Sequence, residues 1–199
     1  GVILPLTGPF ASTGKQIGAA IRLYVARNGD TVAGRKVELI IKDDTGLAPE
    51  TTKRIAQEMV VQDKVSVLAG FGLTPLALAA APVATEARVP MIVMAAATAM
   101  IPTRSPFIVR ANFTLPQVTA PIAEWALKNK IKRVVTMVTD YGPGLDAEKT
   151  FLAVFKAEEW ENFGLATVDS SLIYSMIDVL PGGRRGQTTL RSEAAPTPR

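Results

Sequence analysis

The chain of 199 residues contains no cysteine and no histidine. Without cysteine there is no disulfide, no thiol nucleophile and no thiolate zinc site. Without histidine the commonest general base and metal ligand is gone, which leaves an enzyme only carboxylates and lysines to work with. Long hydrophobic runs are missing too. No apolar stretch approaches the roughly 20 residues that a membrane-spanning helix requires. The most apolar stretches, residues 77–87 and 90–100, are alanine-rich and interrupted by Pro82 and Pro90, so they read as core helix and strand of a protein that is not membrane-embedded. Charge of one sign is scarce as well. The formal net charge is +4, but Arg184, Arg185, Arg191 and Arg199 against Glu193 place +3 of it in residues 181–199. Residues 1–180 are near neutral, with no basic face for nucleic acid.

What is present is a core-forming composition, 48% hydrophobic and 20% charged, with 15 glycines and 14 prolines scattered evenly. One theme repeats through residues 1–150: an apolar strand, a loop, an amphipathic helix. Residues 2–6 read as the first strand. A helix follows with Ile17, Ala20, Ile21 and Tyr24 on one face and Gly29 just past its end. Residues 36–42 read as the second strand, and Pro49 opens a helix that buries Ile55, Ala56, Met59 and Val60. Residues 65–69 form the third strand, after which Thr74-Pro75 reads as an N-cap and a first helical proline. Residues 91–94 and 107–110 are further strands. Thr114 or Gln117 opens a helix carrying Ile122, Trp125 and Ala126, with Trp125 expected in the core. Residues 134–138 form another buried strand, and a helix begins near Asp146. Apolar strands alternating with helices imply parallel pairing and right-handed crossovers, hence a doubly wound, mostly parallel α/β fold. The rhythm weakens after Trp160, and residues 181–199 lack core formers and are expected to be disordered, either as a natural flexible tail or as a frame-shifted or truncated, non-native end.

Two glycine-rich loops invite a nucleotide reading, and neither sustains it. Five residues separate Gly8 from Gly14-Lys15, and Gln16 follows; a Walker loop needs four, then Ser or Thr to reach the magnesium ion. In Gly70-Phe71-Gly72-Leu73-Thr74-Pro75 the third glycine of a dinucleotide fingerprint is absent. What remains is a tight turn into a helix N-terminus, which suits a small carboxylate. Asp43-Asp44 reads as a solvated strand end capping the next turn rather than a cation site, since further oxygen ligands are missing nearby. The segment Ala95-Ala96-Ala97-Thr98-Ala99 is either a small-residue core turn or a wall where ligand meets backbone groups and the Thr98 hydroxyl. Tyr141, in a Gly-Pro-Gly loop, sits at a strand end where ligands bind in such sheets.

Several segments together resemble one family: residues 1–14 (GVILPLTGPFASTG), 42–44, 70–82 (GFGLTPLALAAAP), 89–98 (VPMIVMAAAT), 107–110 and 139–145 (TDYGPGL). In this order, over roughly residues 1–155, they look like the type I periplasmic binding proteins of ABC importers, in the leucine/isoleucine/valine-binding branch. The resemblance implies two α/β lobes that close around a ligand, with residues 1–114 as lobe one and 115–180 as part of lobe two. It implies a ligand-binding, non-enzymatic protein in the periplasm, with a small-molecule carboxylate ligand, ABC permease subunits as partners, and no cofactor or metal. The implied pocket uses Leu73 and Thr74, the backbone of Ala96 and Ala97, the Thr98 hydroxyl for the ligand carboxylate, and Tyr141 closing over it. Thr13 stands where branched-chain receptors carry an aromatic, with Phe10 supplying apolar surface instead.

This chain departs from the family at two points. The usual serine cluster is here Leu73-Thr74-Pro75-Leu76, more apolar, which resembles members taking aromatic or other hydrophobic carboxylates. Family members are also nearly twice as long and use a later acid for the amino group of an amino acid. The chain accordingly reads as truncated, with an upstream segment removed or lost before Gly1, and is expected to bind ligand weakly in this form. A ligand-sensing domain of a receptor or regulator stands as the alternative, and a nucleotide-binding enzyme as a third reading.

Overall fold

Repeated alternation of strand and helix lays the chain down in two α/β units. The computed structural model describes residues 1–132, 134–155, 165–168 and 176–178. The first unit runs β1 (Val2–Leu4), α1 (Ala11–Asn28), a two-residue hairpin β2 (Thr31–Val32) and β3 (Arg35–Lys36), then β4 (Ile41–Asp43), α2 (Pro49–Val61), β5 (Leu68–Gly70), α3 (Thr74–Ala87), β6 (Met91–Val93), a 3-10 turn (Ile101–Arg104) and β7 (Ile108–Arg110). Its main sheet has the order β4-β1-β5-β6-β7, parallel throughout. The second unit runs α4 (Leu115–Lys128), β8 (Val135–Thr139), α5 (Gly142–Val154), β9 (Leu165–Val168) and β10 (Met176–Asp178). In its sheet β8 pairs β9 in parallel and β10 antiparallel.

The chain steps from β1 outward to β4, then returns across β1 to β5 and onward. Right-handed crossovers in opposite directions place α1 on one face and the pair α2–α3 on the other. Ile3, Leu68, Met91 and Val93 from the strands meet Ile55 and Met59 of α2 and Ala77, Ala80 and Ala84 of α3 in one core. The alanines let α3 lie close to the sheet. Gly70, at φ +110°, sits so tightly against β1 that a Cβ there would overlap the Ile3 carbonyl oxygen. The second core joins Ala123 and Ala126 of α4 to Val134, Phe151 and Phe155, the two phenyl rings stacked with centroids 5.3 Å apart.

Several expectations need correction. Residues 36–42 do not form one strand. Arg35–Lys36 fold back on Thr31–Val32 around Ala33 and Gly34, both at positive φ, and the main sheet is rejoined only at Ile41. On α1 the buried positions are Gly14 and Gly18, while Tyr24 is 68% exposed. On α4 the stripe Thr119, Ala123, Ala126 is buried, and Ile122 and Trp125 stand exposed on the opposite side. Small residues let α4 approach α5 more closely than a tryptophan would, so close packing decides the face over hydrophobicity. Asp44 is fully buried rather than solvated. Past Trp160 the described residues are β9 and β10. The expected disorder of residues 181–199 lies outside the described residues.

Candidate functional site

The carboxyl ends of the parallel strands open toward one cavity of about 260 Å³, shared by the two units. In doubly wound sheets this is where ligands bind. Gly72, Leu73 and Thr74 line it after β5, Ala95, Ala96 and Ala97 after β6, and Leu115 at the start of α4. From the second unit come Thr139, Tyr141, Pro143 and Gly144, around the end of β8 and the start of α5. None of these side chains carries a formal charge. A larger cavity of about 470 Å³ lies on the outer side of α3, around Leu78, Pro82, Glu86 and Arg104. It is away from the strand ends, and no unsatisfied polar group faces it.

The Thr74 side chain distinguishes the first cavity. Leu73 (φ −130°, ψ 152°) is the N-cap of α3, so Thr74 is already inside the helix and its side chain caps nothing. The expected cap, Thr74, is one residue late. Thr74 is 3% exposed, and its Oγ1 has no hydrogen-bond partner among the described residues. A buried hydroxyl without a partner costs about 1–3 kcal/mol, and this one stands beside the cavity. The first turn of α3 adds backbone N–H groups and the positive end of the helix dipole. The first turn of α5 opens onto the same cavity from the other side, with Tyr141 as its N-cap and again no side-chain cap. Burial raises the Tyr141 phenol above its ordinary pKa, so it stays neutral.

The wall formed by residues 95–98 has its carbonyls committed elsewhere. Asn112 Nδ2 donates to Ala95 O (2.7 Å), Arg110 Nη1 to Ala96 O (2.6 Å), Leu115 N to Ala97 O (3.1 Å) and Arg110 Nη2 to Thr98 O. The Ala96 N–H donates to Phe71 O at 3.0 Å, so it too is committed within the protein. Desolvation lowers the Arg110 pKa, with the Asp146 carboxylate acting in the opposite sense.

Of the residues singled out in the sequence, Leu73, Thr74, Ala96, Ala97 and Tyr141 come together around the cavity. Thr98 lies behind the wall, fully buried, and its hydroxyl donates to Asp146 Oδ2 at 2.5 Å. Phe10 is the N-cap of α1 and packs toward Gly46, and Thr13 is exposed; neither lines the cavity. Sequence reasoning missed Arg110, Asn112 and Asp146, whose role comes from contacts across the fold and leaves no local motif.

A family model described as Periplasmic binding protein matches residues 1–172. The Leu/Ile/Val-binding protein homolog 6 of Brucella abortus is 44% identical over 182 residues, 89% of this chain and 47% of that protein. A solute-binding protein of an ABC transporter from Rhodopseudomonas palustris, solved in complex with 3,4-dihydroxy benzoic acid, is 55% identical with a TM-score of 0.81. A second from that species, in complex with p-hydroxybenzoic acid, is 42% identical with the same TM-score. Each alignment covers 84% of this chain and 46% of the other. This chain thus spans about half the length of the relatives it matches, and it belongs to the periplasmic binding protein family.

Proposed function

We propose that this chain is the ligand-gripping part of an exported, periplasmic receptor that delivers a small aromatic carboxylate to the permease subunits of an ABC importer. Residues 1–114 serve as one lobe and residues 115–180 as part of the other, and the ligand sits between them without being chemically changed. The observation that carries this reading is the buried Thr74 hydroxyl with no partner among the described residues, beside the uncapped start of α3. Together they form a neutral donor set for a carboxylate. Leu73, Leu115 and the Tyr141 ring supply apolar contact for a flat ring.

Among the described residues lining the cavity no carboxylate faces inward to pair an α-ammonium group. The apolar surface of Leu73, Leu115 and the Tyr141 ring suits an aromatic acid, and the two hydroxybenzoate complexes among the similar structures point the same way. Titration calorimetry and thermal shift of the intact protein test this with p-hydroxybenzoate and L-leucine. p-Hydroxybenzoate at a hundredfold over Kd should stabilise the folded state by about 2.7 kcal/mol, and leucine should leave the melting temperature unchanged. Stabilisation by leucine alone, or by neither compound, would remove the reading.

A further inference from the structure

A charged contact between the two units lies outside the cavity. Asp146, one turn into α5, projects its carboxylate onto the loop that follows β6. Its Oδ2 accepts from the Thr98 hydroxyl at 2.5 Å and from the Ala99 N–H at 2.8 Å. On the other side of the same loop, Arg110 of β7 grips the carbonyls of Ala96 and Thr98. The loop is therefore held between a cation of its own unit and an anion of the other, and the intervening peptides are polarised in one direction. Hydrogen bonds to an ionised partner are roughly twice as strong as neutral ones. The neighbouring surfaces are shaped for the contact. A Cβ on Gly142 would lie 3.1 Å from Thr98 Oγ1 and 3.5 Å from Thr74 Cγ2, so α5 seats closely against the first unit at that position.

We infer that Asp146 is a clasp: a positioning residue that holds the two lobes shut over the cavity through Thr98 and Ala99 without touching the ligand. The inference rests on the two-lobe reading above and adds to it a residue that sets how long the lobes stay closed. Asp146 lines no part of the cavity, so its removal leaves every ligand-facing donor in place. It shifts the balance between open and closed lobes, and a ligand held only by the closed form then dissociates faster. The Thr98 hydroxyl is accordingly committed to lobe closure.

The test uses the intact protein with spin labels on cysteines introduced at Lys36 and Lys128, exposed positions on the two units; this chain contributes no cysteine of its own. Distances are measured by pulsed electron resonance with and without p-hydroxybenzoate. Wild type is expected to show a short-distance component even without ligand. Asp146→Ala depletes it, Asp146→Asn, which keeps an acceptor oxygen, depletes it less, and Thr98→Val combined with Asp146→Ala opens the lobes no further than Asp146→Ala alone. Stopped-flow release of p-hydroxybenzoate from Asp146→Ala should be about tenfold faster, with the association rate changed less, as is usual for contact variants. If wild type fails to bind p-hydroxybenzoate, the ligand assignment falls, while the ligand-free distances still decide the clasp. An unliganded wild type with no short-distance component, or an Asp146→Ala protein whose distances match wild type, overturns it.

Discussion

Replacing Thr74 by valine separates a ligand-directed hydroxyl from a structural one, because the two roles move stability and affinity in different directions. The side chain is 3% exposed, and Oγ1 finds no partner among the described residues. Valine keeps the shape and the methyl packing while removing the stranded donor. In the unliganded protein this relieves a desolvation cost, for a gain of about 1 kcal/mol. For 150–250 residues that corresponds to roughly 2–4 °C in melting temperature. With p-hydroxybenzoate bound, the same change deletes a hydrogen bond to a carboxylate, worth about 1.5–3 kcal/mol, so Kd should rise by roughly 10- to 150-fold. Thr74→Ser keeps the hydroxyl and should hold affinity near wild type. Differential scanning calorimetry and titration calorimetry on the intact protein read both effects. A Thr74→Val protein that melts lower than wild type and binds within twofold of it would show the hydroxyl to be structural, and the reasoning would fail.

Tyr141→Ala should weaken p-hydroxybenzoate binding by more than about tenfold in titration calorimetry, since aromatic pairing adds roughly 0.5–1.5 kcal/mol to the area lost, whereas Tyr141→Phe should change it by less than about threefold if the ring is what matters. Gly144→Ala drives a methyl into the Thr139 carbonyl oxygen and should cost about 1–3 kcal/mol as overpacking, read as a lower urea midpoint; an unchanged midpoint would show that α5 can shift. Asp43 and Asp44 should respond to pH with opposite sign. Burial works against ionisation of Asp43, but hydrogen bonds from the Thr7 hydroxyl and the N–H groups of Thr45, Leu6 and Thr7 outweigh it and hold its pKa below 3.8. Its contribution is present above pH 3.8 and is lost as pH falls through the lowered value. Burial raises Asp44 despite bonds from Gly46 and Thr52, so its contribution favours folding in acid and is lost as pH rises through the raised value. Urea melts at pH 7 and pH 3 should show Asp43→Asn losing stability relative to wild type mainly at pH 7, and Asp44→Asn faring better relative to wild type at pH 7 than at pH 3; the same sign for both would refute the assignment.

Alternation of apolar strand and helix was enough to read the parallel sheet, because strands covered on both faces leave near-continuous apolar runs. It also located Thr74 and Tyr141 at strand ends, where the topology brings them to one cavity. Helix register was less legible. Thr74-Pro75 signals a helix start under either assignment of the cap, yet the one-residue difference decides whether the hydroxyl is spent on the backbone or left facing the cavity. The faces of α1 and α4 were misread for a related reason. Periodicity identifies which residues share a side, but Gly14, Gly18, Ala123 and Ala126 win the interior by allowing close approach, which a hydrophobicity count does not register. The pairing of Thr98 with Asp146 spans 48 positions in sequence and has no local signature at all.

Charge in this chain is divided by task, and the division bears on what the cavity is for. Asp146 and Arg110 hold protein to protein through the loop that carries the cavity wall, while the cavity itself offers a hydroxyl, backbone N–H groups and helix ends. A fixed cation facing an empty, partly desolvated cavity would be costly and would shift its own pKa. Neutral donors tolerate the empty state at smaller cost, and their dipoles still converge on an anion when one arrives. The cost is concentrated at one atom, Thr74 Oγ1, which closure over a ligand carboxylate would satisfy. Among the described lining residues Tyr141, held neutral by burial, is the one titratable side chain, so under the proposed reading the grip on a carboxylate comes from dipoles rather than from a fixed charge.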